Sequence, residues 1–475
     1  MMRWNRRTKK AKAPSSVLFR RQSPAEGMAF VRAPAALLTE SRGKYPVAYA
    51  GIFVIMLLIF IRPQEVMPGV FGVVPLLKIV AAGTIVSYIL AKHSAGQKLL
   101  SWSLELKMMI VMGGMGLLLT PIASSPGDSI EVLVDTYVTL LIIFILMTNL
   151  IDTRPRLRQF LFAMVISQFL YATSAAKTFL TRTGQEVERI KGWGTQLENP
   201  NDLACVLDLM LPLSIYVLLT RKGWVRLFAL ACVMVTCFSV LFTFSRSGFL
   251  GLVLAAGTIV WKAGRAYRAR IVIGTLVMSV VLFAALPGVY RARLATIFNP
   301  EADQTNSAQE RQQLMKVAAD LAVRRSVVGL GMGNFHIYSF HEKVAHNSFL
   351  ETSAELGVVG LLAYLVLIFA PILFLRRIEN ETVEGGVRPD WEIHIMSICF
   401  QASLAAYIIY GFFGSVQYFP YLYFSVAYAV ALRRIYMAEA GALPAEKGGL
   451  PALRASSAAS SRGALWKSLR LPNAN

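Results

Sequence analysis

The chain has 475 residues, of which 55% are hydrophobic and only 16% charged. Its mean hydropathy of +0.54 excludes a water-soluble fold and predicts an all-α polytopic integral membrane protein. The net charge of +21 collects in the two tails and in alternate connections, which fits anchoring beside anionic lipid and excludes a nucleic-acid surface.

In chain order, about twelve apolar stretches are each long enough to cross ~30 Å of hydrocarbon as helix. They lie near 45–61, 70–91, 104–122, 130–150, 157–180, 201–220, 225–244, 247–263, 270–289, 349–374, 395–413 and 418–434. The predicted organisation is a cytoplasmic basic tail at 1–44, nine transmembrane helices over 45–289, a long outer loop at 290–348, three more helices over 349–434, and a disordered tail at 435–475. No cleavable signal is apparent, so the first apolar run reads as an uncleaved anchor. Cys205, Cys232, Cys237 and Cys399 all fall inside apolar runs, where each acts as a small hydrophobe and no disulfide or zinc framework is indicated.

Charge sets the orientation. Arg3, Arg6, Arg7, Lys9 and Lys10 in the first tail recur in kind at Lys92 and Lys98, Arg154 to Arg158, Arg221 and Lys222, Lys262 to Arg270, Arg376 and Arg377, and Arg433 and Arg434. These segments alternate along the chain, so the excess of Lys and Arg places them, and both termini, on the cytoplasmic side of the membrane. Three outer segments break the rule: Arg182, Arg189 and Lys191 in 181–200, Arg246 in Phe244-Ser245-Arg246-Ser247-Gly248, and the long loop with Arg311. A cation that violates the charge rule is a candidate for holding an anionic ligand.

Within the loop, Leu314, Val317, Ala318, Leu321 and Ala322 recur at helical spacing and predict an amphipathic helix over 307–325, lying at the membrane surface. The Gly329-Leu330-Gly331-Met332-Gly333 turn reads two ways, as a phosphate-approaching backbone or as a flexible turn. His336, His341 and His346 stand five apart, which does not suit ligands on one helical face, so no metal site and no cofactor is expected. His346 directly precedes a spanning helix, where a neutral imidazole is fit to act as a general base. The alternative is a surface histidine capping that helix.

His346-Asn347-Ser348-Phe349-Leu350 with Glu355-Leu356-Gly357-Val358-Val359-Gly360, preceded by Gly329 to Phe335, resembles the signature region of the bacterial O-antigen ligase and polymerase family, whose members include protein O-glycosylation ligases. Arg62-Pro63-Gln64-Glu65 and Gly192-Trp193-Gly194 with Glu198-Asn199-Pro200-Asn201-Asp202 are similar to the O-glycosylation ligase subgroup. The resemblance implies metal-independent, inverting transfer of a glycan at the periplasmic face. The donor it implies is a polyprenyl-pyrophosphate-linked glycan, and the acceptor is a hydroxyl of lipid A core, another glycan or a protein.

In that scheme Arg246 and Arg311 bind the donor pyrophosphate through forked, permanently charged guanidinium groups, and His346 is the catalytic base. Glu355 matches the family pattern and is a candidate to orient His346 or Arg311; Asn347 supports the same segment. Glu198 and Asn199 read first as helix capping and second as substrate contacts. Glu351 and Glu355 also suit a helix N-terminus without any catalytic role. Trp193 is a candidate for stacking on sugar or for marking the interface, and Arg189 and Lys191 for attracting the anionic donor or lipid headgroups. A polysaccharide polymerase of the same family is the nearest alternative. A lipid-linked glycan flippase would call for an inverted repeat, and none is visible.

Overall fold

The computed structural model describes residues 44–63, 76–181, 190, 192, 197–262, 273, 307–383 and 385–442. The helices are α1 (Pro46–Ile61), α2 (Leu76–Ser94), α3 (Leu104–Leu119), α4 (Pro126–Leu150), α5 (Arg154–Thr181), α6 (Pro200–Thr220), α7 (Gly223–Phe242), α8 (Arg246–Lys262), α9 (Ser307–Arg324), α10 (Ser348–Thr382), α11 (Trp391–Phe413) and α12 (Pro420–Ala442). No strand occurs among the described residues. Eleven of the apolar stretches therefore coincide with helices, and the one at 270–289 lies, but for Ile273, outside the described residues, as does the tail at 1–43.

Eight of these helices are long and apolar enough to cross a membrane: α2, α3 (with the short turn to Ile122), α4, α5, α6, α7, α10 and α11. Their outward faces carry large exposed apolar side chains such as Val86, Leu90, Leu117, Leu118, Leu227 and Leu362, as expected where the solvent is hydrocarbon. The core sits where α11 packs against α6, α8 and α10. α6 and α11 are buried along most of their length, whereas α2 lies at the margin. Ser403 Oγ donates to Leu209 O at 2.8 Å between α11 and α6, and the Tyr364 and Tyr407 hydroxyls pair at 2.6 Å between α10 and α11.

One end of the bundle collects the paired charges. Arg154 meets Asp390 at 2.7 Å and also Glu439, Arg158 and Arg221 share Glu392, Lys262 Nζ lies 2.6 Å from Glu379, and Arg433 grips the fully buried Glu105 with two bonds of 2.9 Å. These connections are the ones the charge alternation placed on a common side. The same contacts account for a difference in the last helix, expected to stop at 434. It continues to Ala442, because Tyr436 donates to Glu381 at 2.6 Å and Glu439 receives Arg154, so the added turns have partners. Residues from 443 onward lie outside the described set.

Helix α9 has the predicted apolar stripe, but the stripe faces protein. Leu314 and Ala318 are fully buried, and Val317, Ala318 and Leu321 pack with Leu330, Phe335, Ala345, Leu350 and Ala354. The stripe is matched by an apolar patch that includes the start of α10, so its apolar face is covered by protein.

Candidate functional site at the end opposite the paired charges

Arg246 opens α8. Ser245 caps the helix, its Oγ accepting from the Gly248 amide at 3.1 Å and its carbonyl from the Phe249 amide at 3.0 Å. Phe244 before it has a left-handed φ of 52°, a strained turn for a non-glycine residue. A cation in the first turn opposes the helix dipole, so helix stability does not explain the choice of arginine. The same Ser245 hydroxyl donates to Asn201 Oδ1 at 2.8 Å, tying the start of α8 to the start of α6. Glycine at 248 permits the approach, since a Cβ there would lie 2.8 Å from Ala204 Cβ and 3.0 Å from Tyr410 Oη.

The capping reading holds for Asn199, which accepts from the Asn201 amide at 2.9 Å ahead of Pro200. Glu198 is exposed beside it. Trp193, Arg189 and Lys191 lie outside the described residues, as do Arg182, Gln64 and Glu65.

Arg311, half-buried on α9, is the joint of the site. Its charge acts on both Asp202 in the first turn of α6 and His346. The structure thus places Arg246, Arg311 and His346 at one end of the bundle, with the start of α6 adjoining both the Arg246 turn and Arg311. Burial first, and then the Arg311 guanidinium, lowers the His346 imidazole to about 4, against a smaller opposing effect of Glu310. At neutral pH the ring is therefore uncharged and able to accept a proton. Glu310 is itself held below the usual carboxylate range by its hydrogen bond from Lys343.

The His346 backbone is fixed from two sides. Its φ of 54° is left-handed, and its amide donates to Ser415 Oγ at 3.0 Å. Asn347, not His346, caps α10, accepting from the Phe349 and Leu350 amides at 3.0 Å each while its Nδ2 donates to Phe412 O at 3.1 Å. Ser348 Oγ bridges Gly414 O and the Val416 amide. The segment between α11 and α12 is thereby stitched to the histidine.

Glu351 and Glu355 serve this stitching. Glu351 Oε2 accepts from the Ala345 amide at 2.9 Å and from Ser415 Oγ, and its Oε1 accepts from Gln417 Nε2 at 2.8 Å. Glu355 accepts from Tyr418 Oη at 2.8 Å and the Phe335 amide at 3.3 Å. The expectation that Glu355 orients His346 or Arg311 is replaced by these contacts with Tyr418 and the glycine turn.

That turn has a structural task as well. Helix α10 breaks at Gly357, whose φ is 67° and ψ −171°. Ala354 O and Glu355 O accept instead from the Leu330 and Gly331 amides at 2.9 and 3.0 Å, and the Val358 amide donates to Ser326 O at 2.7 Å. A Cβ at residue 329 would sit 2.1 Å from Glu355 O, and Gly331 and Gly333 have φ of 97° and 75°. The amides of Leu330 and Gly331 complete a broken helix, so the flexible-turn and phosphate readings both give way to a rigid insert.

Sequence reading did not find Ser415, Gln417 or Tyr418. A Ser-x-Gln-Tyr stretch has no periodicity to mark it. Of the remaining histidines, His341 is exposed, and His336 Nε2 lies 3.5 Å from Asp128. Among the described residues no group of three or more His, Cys, Asp or Glu is placed to hold a metal ion.

Comparison with known families places this geometry. Residues 230–365 match the family model described as O-antigen ligase, a segment that includes Arg246, Arg311, His346, Glu351 and Glu355. No curated protein matches the chain. The match supports the resemblance carried by the His346 and Glu355 motifs, over less than a third of the chain.

Proposed function

We propose that this O-antigen ligase domain transfers a glycan from a polyprenyl-pyrophosphate donor to an acceptor hydroxyl of lipid A core, polysaccharide or protein, at the periplasmic face of a bacterial inner membrane. The observation that carries the reading is the action of the Arg311 charge on both His346 and the first turn of α6, the same turn to which the Arg246 segment is tied. A permanent cation, a neutral imidazole and a second arginine at a helix N-terminus suit a dianionic leaving group beside a hydroxyl nucleophile.

In the reaction, Arg246 and Arg311 hold the pyrophosphate through forked hydrogen bonds. The acceptor oxygen attacks the anomeric carbon in line as its proton passes to the His346 imidazole. The bond from that carbon to the phosphate oxygen breaks, and the polyprenyl pyrophosphate leaves on the face opposite attack, so the configuration inverts. The guanidinium charges do not depend on protonation and take the place a divalent cation has in other transferases. The protein in this reading spans the membrane about twelve times, with 290–348 outside and the paired-charge end in the cytoplasm.

The test is transfer by purified protein from a lipid-linked donor to its acceptor, with excess EDTA present. Full-rate transfer by wild type is expected. His346→Ala should lose about 10²- to 10⁴-fold in rate, the contribution of a general base, and Arg246→Lys should lose most activity although the charge is kept. Near-normal transfer by His346→Ala overturns the assignment of the base, and activity that returns only with magnesium or manganese overturns the metal-independent scheme.

A further inference from the structure

A cavity of about 280 Å³ opens beside His346, lined among others by Glu351, Glu355, Gln417, Tyr418, His336 and Val344. Its volume equals about nine waters at ~30 Å³ each, the scale of one sugar ring. Gln417 is only 3% exposed. Its Nε2 donates to Glu351 Oε1 at 2.8 Å, which fixes the orientation of the amide, and its Oε1 has no hydrogen-bond partner among the described residues. A buried acceptor left unpaired is costly and uncommon. Here it lines a cavity that also presents two carboxylates and no Lys or Arg.

The occupant must therefore donate hydrogen bonds. A metal ion suits the site poorly, because the carboxylate oxygens already accept from Ala345, Ser415, Gln417, Phe335 and Tyr418 and, among the described residues, no group of three or more His, Cys, Asp or Glu is placed to hold one. A polyol suits it well. Its hydroxyls donate to the amide oxygen and to remaining carboxylate lone pairs, and its C–H faces lie against Tyr418 and Phe419, which also line the cavity.

We propose that this cavity is a saccharide subsite, holding one pyranose ring of the substrate through hydroxyls that donate to Gln417 Oε1 and the Glu351–Glu355 pair. The inference rests on the glycan-transfer reading and deepens it: Ser415, in the cavity wall, accepts from the His346 amide at 3.0 Å, so the bound ring adjoins the base.

The experiment is saturation-transfer NMR on the full-length protein in detergent, with free glucose, galactose and N-acetylglucosamine as probes. At least one should receive saturation from wild type and equally from His346→Ala, which separates binding from the transfer chemistry. Gln417→Leu should weaken that binding about fivefold, the scale of one neutral hydrogen bond. Val344→Trp fills the cavity from a position that is 42% exposed, so it leaves the fold intact and should weaken binding at least as much. In the transfer assay Val344→Trp should raise KM for the acceptor alone or for the donor alone, and the affected substrate is the one that supplies the ring.

No saturation of any probe, equal saturation of wild type and both variants, or displacement of the sugar by magnesium or tetramethylammonium overturns the subsite. A fully active His346→Ala that still binds sugar would instead overturn the assignment of the base and leave the subsite standing.

Discussion

Glu351 holds the backbone that carries His346. Its Oε2 accepts from the Ala345 amide at 2.9 Å and from Ser415 Oγ, and that same hydroxyl oxygen accepts from the His346 amide at 3.0 Å. Because His346 has a left-handed φ, a conformation uncommon for any non-glycine residue, the external bonds help to hold the imidazole in place.

Glu351→Gln should therefore act through position. A glutamine keeps the size but turns one acceptor oxygen into a donor facing donors. We expect kcat to fall about 10- to 100-fold, the scale of a lost charge-assisted hydrogen bond, and the loss to persist when both substrates are saturating. Ser415→Ala should give a smaller loss of the same kind. Steady-state kinetics on the two variants check this, and an unchanged kcat for Glu351→Gln would remove the positioning role.

The pH profile follows from the same histidine. Protonated imidazole cannot act as a base, and the group titrates at about 4 in the free protein. The acid limb of kcat/KM should thus lie near 4 and not near the ordinary 6.5, with activity flat from there to neutrality. An anionic donor seated on Arg311 offsets the charge that depresses the imidazole, so the limb of kcat, which reports the complex, should lie higher than that of kcat/KM. Arg311→Gln should raise the kcat/KM limb, though not to its ordinary value, since burial is the larger cause. The stability sign is fixed too. Between the folded and ordinary values the unfolded chain binds more protons, so the contribution of His346 to stability is complete above 6.5 and is lost as pH falls through about 4.

Much of the scaffold was legible because a membrane helix announces itself by a long apolar run. The stripe Leu314, Val317, Ala318 and Leu321 likewise announced α9. The partner of that stripe was not legible, since packing on protein and resting on lipid call for the same apolar residues. The break at Gly357 was hidden inside the continuous apolar stretch 349–374. The amides that repair the break come from Leu330 and Gly331, more than twenty positions away, in a turn that looks the same whether it faces phosphate or helix. Glu351 and Glu355 carry the strongest lesson: near a helix start they satisfy the dipole on sequence grounds, and only their contacts with Ser415, Gln417 and Tyr418, over sixty residues on, reveal their task.

Gly248→Ala should disturb the site without touching substrate. The added Cβ would meet Ala204 Cβ at 2.8 Å and Tyr410 Oη at 3.0 Å, so the start of α8 must move away from α6 and take Arg246 with it. Overpacking of this kind costs typically about 1–3 kcal/mol. The expected kinetic signature is a raised donor KM with the acceptor KM unchanged, and equal donor KM values for Gly248→Ala and wild type would sever the link between this contact and Arg246.

Asp208 supplies the last prediction. It is fully buried on α6, and among the described residues neither carboxyl oxygen has a hydrogen-bond partner. Six residues beyond Asp202, it lies about 9 Å further along the helix at ~1.5 Å per residue, beside Gly251 and Tyr410 and away from His346. A carboxyl group buried without partners opposes folding, while an ionisable residue within a membrane helix is often kept for function. The position below the site favours the first effect, so Asp208→Asn should raise the thermal midpoint of the protein in detergent while transfer continues at the wild-type rate. Thermal unfolding and transfer assays on the same preparation decide between the two: a more stable but inactive variant would make Asp208 part of the chemistry, and a less stable one would mean that it has a partner in the folded protein.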